Sequence, residues 1–192
     1  MKNIIDFILS NSFMIAQVMG IVVTVLSVIA MQIKDMKNIL IGGAIINTLT
    51  TMQMALLGGF SGAGTCLTAT VQCTYNYGYT QKTKKATPPK SISAIFILIY
   101  IIVNVAVYKG PQDLISIFAA VLYGLAVIQE NPAIFRVLLQ TNSFAWLIYQ
   151  LAIGGYTMVV TYVILITSTF IAMWRLDRGF WKDVLTRKQK QG

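Results

Sequence analysis

Histidine is missing altogether from the 192 residues, only six residues are acidic and only two are cysteine. Each scarcity removes a class of chemistry. Hydrolysis and group transfer need positioned acids, bases, nucleophiles or metal ligands. Without histidine no Ser-His or Cys-His pair and no imidazole metal site can be assembled. The carboxylates Asp6, Asp35, Asp113, Glu130, Asp177 and Asp183 all fall at or beyond the ends of the apolar stretches. None of them forms a pair or a metal-spaced cluster. The chain is expected not to be an enzyme and to need no cofactor or metal. Cys66 and Cys73 stand at i and i+7 of one helix, about 10 Å apart along its axis and too far for a disulfide. They read as small packing residues.

Charge is scarce in a patterned way. Only 11% of residues are charged and 56% are apolar, with a mean hydropathy of +0.70. A soluble domain carries about 25% charged residues. A chain of this size cannot hide so much apolar surface from water, so it is read as an integral membrane protein. No Asp, Glu, Lys or Arg occurs between Asp6 and Lys34, Lys37 and Lys82, Lys90 and Lys109, Asp113 and Glu130, or Arg136 and Arg175. A spanning helix takes about 20 apolar residues. The second and last gaps have room for two helices each, and Gly58-Gly59 and Gly154-Gly155 break them near the middle. Seven spans follow, at 13–33, 39–58, 62–80, 92–108, 112–130, 133–153 and 156–174.

The basic residues test that count. With the N-terminus outside, the inner segments hold Lys34, Lys37, Lys82, Lys84, Lys85, Lys90 and Arg136. The inner tail adds Arg175, Arg178, Lys182, Arg187, Lys188 and Lys190. Only Lys2 and Lys109 are left outside, the sorting that positive charge shows in membrane proteins. The net charge of +9 then reflects topology and attraction to an anionic inner leaflet, not a nucleic-acid surface. Residues 1–12 lack a long apolar core and a cleavage site, so they read as a short interfacial segment. Residues 175–192 form a basic cytoplasmic tail with Phe180 and Trp181 at the headgroup level.

The two paired gaps resemble one another. "QMALLGGF" (53–60) and "QLAIGGY" (150–156) share glutamine, an apolar run and Gly-Gly-aromatic, with one residue deleted in the second copy. "VIAMQIKD" (28–35) likewise echoes "LAVIQENP" (125–132). The chain divides into a first three-helix bundle (13–80), a cytoplasmic linker with a fourth helix (81–110) and a second bundle (111–174). The single middle span makes the two bundles parallel, one of the two common transporter designs. The expected fold is an all-α integral membrane protein of seven transmembrane helices arranged 3+1+3.

Candidate solute contacts are neutral and polar. Asn47, Thr48, Thr50, Thr51 and Gln53 lie on the second span, and Thr65, Thr68, Gln72 and Tyr75 form a stripe on the third. Asn142, Trp146 and Gln150 recur every four residues on the sixth with Tyr149 beside them, and Thr157, Thr161 and Ser168 follow on the seventh. Each also has a packing reading, because Thr and Ser bond their own helix and Asn and Gln can glue helices together. Trp146 lies mid-span, away from the interfacial belts that tryptophan favours. The glycine run "GGFSGAGT" has neither Gly-x-Gly-x-x-Gly nor Gly-Lys-Ser/Thr order. Gly58, Gly62 and Cys66 read instead as small residues that let the second and third spans pack closely.

"QIKDMKNILIGGAIINTLTTMQMALLGGFSGAG" together with "FAWLIYQLAIGGY" and "STFIAMWRLDRG" resembles the YgjV-type bacterial inner membrane proteins over most of residues 13–179. The Gln-x-Lys-x2-Lys loop (32–37), the Leu-Gly-Gly-aromatic turn, Trp146 with Tyr149, and Trp174-Arg175 carry the likeness. That family is grouped with the SWEET and PQ-loop carriers of small solutes. The resemblance implies a bacterial inner-membrane location and a solute site between the bundles near Asn47, Gln72, Asn142 and Trp146. The Pro-Gln dipeptide of PQ-loop proteins is absent, since Gln32 follows Met31 and Gln129 follows Ile128. Gln72 is neutral where many members carry a basic residue. The expected function is facilitated passage of a small neutral or zwitterionic polar solute, such as a sugar, nucleoside or vitamin. The solute contacts expected are Asn47, Thr51, Thr68, Gln72, Asn142, Trp146, Gln150 and Thr161. A homo-oligomer is left open. The second class of reading is a sensor or accessory subunit without transport, in which those polar faces fill a dry interface.

Overall fold

The computed structural model describes residues 10–30, 36–83, 88–128 and 132–176, and these form helices joined by short connections. The helices are α1 (Ser12–Ala30), α2 (Met36–Leu56), α3 (Phe60–Thr83), α4 (Lys90–Ala106), α5 (Pro111–Ile128), α6 (Pro132–Ile153) and α7 (Tyr156–Leu176). They match the expected spans to within a few residues. Pro111 and Pro132 each occupy a first helical position, where a backbone N–H has no partner to lose. Residues 1–9 of the N-terminal segment, most of the basic tail, Gln32 and Gln129 lie outside the described residues.

Two connections have the same construction. Gly58 and Gly154 take positive φ angles of 77° and 78°. Gly58 N–H donates to Ala55 O at 3.1 Å and Gly59 N–H to Met54 O at 2.9 Å; Gly154 N–H donates to Leu151 O at 3.4 Å and Gly155 N–H to Gln150 O at 2.8 Å. Both helices therefore end in a Schellman cap, whose left-handed residue favours glycine. The register corrects the alignment read from sequence. Counted back from the caps, Gln150 matches Met54 and Tyr149 matches Gln53, with no deletion.

Each helix packs on its neighbours in sequence, except that α5 also meets α3 and α7 returns to α1. The helices α1, α2, α3, α5, α6 and α7 close a ring, and α4 lies against α3 and α5. One end of the ring, called here the turn end, holds both glycine caps and the starts of α1 and α5. Gln17 on α1 reaches Gly154 O at 2.7 Å there.

Burial is inverted relative to a water-soluble domain. Gln53, Ser61, Asn104, Ser116 and Gln150 are completely buried, while Ile21, Leu98, Val160, Ile171 and many other large apolar side chains face outward. Among the described residues α1 alone is both long and apolar enough to cross a bilayer by itself, with a mean hydropathy of 2.4. The helices α2, α4, α5 and α7 hold shorter apolar stretches of 10–17 residues. The helices α3 and α6 place threonine, asparagine and glutamine inside the bundle.

Candidate functional site

A cavity of about 230 Å³ lies inside the ring, and every one of the seven helices contributes to its wall. Val23 and Ser27 come from α1, and Ile46, Asn47 and Thr50 from α2. Thr65, Cys66 and Ala69 belong to α3 and Tyr100 to α4. The other side consists of Ala120 and Tyr123 on α5, Asn142, Ser143 and Trp146 on α6, and Met158, Thr161, Tyr162 and Leu165 on α7. No charged side chain lines it among the described residues. At 1.5 Å per residue, Thr50, Thr65, Trp146 and Thr161 lie roughly 10 Å below the turns, and Ser27 and Tyr123 roughly 20 Å. Thr50, Thr65, Trp146 and Thr161 are buried, whereas Ser27, Asn47, Tyr123, Ser143 and Leu165 are half-buried. Tyr162, close to the turns, is also half-buried, and Val23, Ala69, Ala120 and Asn142, deeper in the bundle, are buried.

The lining has a hidden regularity. Gly154 stands 96 positions after Gly58 (154 less 58). The same offset relates Ser27 to Tyr123, Ile46 to Asn142, Asn47 to Ser143, Thr50 to Trp146 and Thr65 to Thr161. It also relates Cys66 to Tyr162 and Ala69 to Leu165. The helix seams repeat it. On one side Ser61 Oγ donates to Asp113 Oδ1 at 2.5 Å and Thr65 pairs with Ser116 at 3.1 Å. On the other, Thr157 Oγ1 donates to Gln17 Oε1 at 3.1 Å, which repeats the offset at both residues, whereas Thr161 pairs with Thr24 at 2.5 Å, one helical turn beyond Gly20, the position that matches Ser116. Asp113 is thus the positional counterpart of Gln17.

Of the eight residues singled out from sequence, Asn47, Asn142, Trp146 and Thr161 meet at the cavity. The other four do not line it. Gln72 accepts the Tyr100 hydroxyl at 2.7 Å, and Thr51 and Thr68 donate to Asn47 O at 2.8 Å and Gly64 O at 2.9 Å in their own helices. Gln150 faces Gln53 across the turn end, its Nε2 3.5 Å from Gln53 Oε1. Tyr75 is exposed and packs on Phe96, with ring centroids 6.0 Å apart. Sequence reasoning passed over Asn104 because α4 read as a linker. Its Nδ2 donates to Thr65 Oγ1 at 2.7 Å and to Tyr100 O at 2.8 Å, which holds both lining residues in place. An asparagine inside an otherwise apolar span was the available signal. The close-packing role expected of Gly58 is also corrected: nothing lies within 4 Å of its added Cβ, and its left-handed φ is what glycine supplies. Gly62 does pack closely, against Met54 and Tyr149.

A polar septum roofs the cavity. The Tyr149 hydroxyl lies 3.0 Å from Ser61 Oγ and accepts Gly62 N–H at 2.9 Å. Asp113, only 4% exposed, accepts Ser61 on one oxygen and the backbone N–H groups of Lys109 and Gly110 on the other, at 2.7 and 3.2 Å. Asp113 is the one acid among the described residues, and it is deeper than its place at a helix end suggested. Above the septum is a second pocket of about 210 Å³, bounded by Gly59, Phe60, Lys109, Asp113 and Ile153.

The sequence profile of the Imp-YgjV bacterial inner membrane proteins matches residues 14–179, which takes in nearly all of α1 and the whole of α2 to α7. The chain belongs to this family. It is a multi-pass protein of the bacterial inner membrane, which accounts for the apolar side chains on its outer faces. No curated protein and no solved structure matches the chain.

Proposed function

We propose that this Imp-YgjV protein is a carrier that lets a small, uncharged or zwitterionic polar solute cross the inner membrane. The observation that carries the reading is the uncharged, mid-depth cavity, walled by seven helices and roofed at the turn end by hydrogen bonds among Tyr149, Ser61 and Asp113. A bilayer core is about 30 Å thick, so the wall residues straddle its middle, where carriers hold their solutes. In this reading α1–α3 and α5–α7 are parallel bundles joined by α4, with the turn end outside. The constant offset of the lining pairs and seams supports that division. SWEET-like carriers share the 3+1+3 plan, and the seams between bundles are where rocking motion would act.

The septum of Tyr149, Ser61 and Asp113 then closes the outer side. Proton-driven carriers keep an acid or histidine as a relay inside the membrane. Asp113 sits instead at the roof, with both oxygens occupied by donors, so the reading is facilitated diffusion down a gradient. The cavity is smaller than the ~300–1,000 Å³ typical of drug-sized ligand sites, which suits a solute of one or two rings. The experiment is uptake into proteoliposomes from a panel of sugars, nucleosides, amino acids and vitamins. Saturable uptake of one class, abolished in Asn142→Ala and Trp146→Ala, is the expected result. A folded protein that moves nothing in the panel sinks the carrier in favour of a non-transporting sensor or accessory subunit.

A further inference from the structure

The pairing of wall positions exposes an asymmetry that bears on the solute itself. Three pairs set a small first-half residue against a second-half aromatic: Ser27 against Tyr123, Thr50 against Trp146, and Cys66 against Tyr162. The second-half side of the wall therefore carries three aromatic rings where the first-half side carries small side chains. Trp146 is held edge-on to Tyr149, with centroids 5.6 Å apart and planes at 87°, so its ring is fixed before any solute arrives.

The polar atoms are biased as well. Ser27, Thr50 and Ser143 each donate their hydroxyl proton to the carbonyl of Val23, Ile46 or Leu139, at 2.8, 2.8 and 2.9 Å. Asn142 spends its Nδ2 on Ala119 O at 2.6 Å and Asn47 turns its Nδ2 towards Cys73 Sγ at 3.9 Å. Neither amide oxygen has a protein partner, and neither belongs to the fully enclosed unpaired atoms such as Asn104 Oδ1 and Gln140 Oε1. Each amide keeps a second N–H, and its unpartnered oxygen offers a solute acceptance. The wall carries no charge to balance an ion.

We infer that the solute is an uncharged, planar nitrogen heterocycle whose N–H edge meets the Asn47 and Asn142 amide oxygens while one face lies on the Trp146 wall. This rests on the carrier reading for its biological sense, but not for its test. Flat rings stack on aromatic faces in preference to puckered ones, and such stacking is sequence-tolerant but shape-selective. N–H donors complete the otherwise unmet acceptors, and a carboxylate would bring a charge that nothing in the wall balances.

The test is equilibrium binding to the purified full chain, read by thermal shift and by quenching of tryptophan fluorescence. The probes are uracil and nicotinamide, set against nicotinate and glucose. Saturable binding of uracil or nicotinamide is expected, with nicotinate at least tenfold weaker because only its charge and edge differ from nicotinamide. Trp146→Phe should bind within a few fold of the parent, and Trp146→Leu should lose about tenfold or more. Asn47→Ala should lose about tenfold, with its thermal stability little changed because its own protein contact is weak. Glucose binding without heterocycle binding, nicotinate binding as well as nicotinamide, or no binding by any probe overturns the inference. Heterocycle binding without uptake in proteoliposomes leaves it standing and removes the carrier reading alone.

Discussion

A single added methyl group should have three different effects at three glycines of this chain. At Gly62 a Cβ would meet the Tyr149 ring and, at 2.7 Å, the Met54 sulfur. Overpacking of that kind costs about 1–3 kcal/mol, so Gly62→Ala should lower the unfolding temperature in detergent and loosen Tyr149. At Gly58 there is room, but the left-handed backbone costs an alanine about 1–2 kcal/mol. At Gly42, within α2 and with nothing inside 4 Å, Gly42→Ala should be neutral or stabilising by up to about 1 kcal/mol. Equal effects at the three positions in one thermal series would contradict the packing described. Sequence alone marked Gly58 and Gly62 as alike, since spacing does not reveal φ. The same limit applies to the polar residues. Asn47 and Trp146 were legible because their types are costly or misplaced mid-span, whereas Gln72 looked equivalent to them and is instead consumed by Tyr100.

Helices in a membrane gain little from burial against lipid, so the seams must be held by packing and hydrogen bonds, each worth about 0.6 and at most about 1.7 kcal/mol. Gln17 concentrates three such bonds, to Gly154 O in the turn before α7 at 2.7 Å and from the Thr157 N–H and hydroxyl of α7 at 3.1 Å each. Gln17→Ala should destabilise the chain by about 1–2 kcal/mol. Asp113 takes one bond across the α3–α5 seam, from Ser61, and two from the backbone N–H groups of Lys109 and Gly110 ahead of its own helix, and hydrogen bonds to charged groups are worth about 1.5–3 kcal/mol. Asp113→Asn, which keeps one acceptor oxygen, should cost within that range or less. The two sites lie in separate seams, so the double variant should be additive to within about 0.5 kcal/mol, as denaturation in mixed micelles would report. The helices themselves were legible to within a few residues because charge gaps and glycine pairs mark their ends. Their register was not: two glutamines with the same neighbours suggested a deletion, and only the cap hydrogen bonds showed Gln53 one step lower on its helix than Gln150.

At the scale of the whole molecule, the seal at the turn end is the feature most directly open to measurement. Cys66 lines the cavity below the septum and both cysteines are free, so in a Cys73→Ala background Cys66 is a single reporter. A membrane-impermeant methanethiosulfonate added at the turn end should label it slowly. Tyr149→Phe removes the hydroxyl bridging α6 and α3, and should raise the labelling rate by about tenfold, the equivalent of one such bond near the top of its range. Tyr75→Phe, the same chemical change on an exposed side chain, should leave the rate unchanged. Fast labelling of the parent from that side would show that the roof is not a seal. The cavity itself was not legible in the sequence. Its wall draws between one and four residues from each of the seven helices, and which of them face one another is fixed by the ring closure of α7 on α1, a contact between the helices most distant in sequence.

The place of α4 has a practical corollary. It stands beside the ring, so the length of chain joining α3 to it carries connectivity but no part of the ring's circumference. Breaking the backbone between Thr83 and Pro88 severs none of the six contacts that close the circle. Two separately expressed pieces, one ending at Thr83 and one beginning at Pro88, should therefore recombine in the membrane and co-purify as a split protein. Pieces divided within α6 should not.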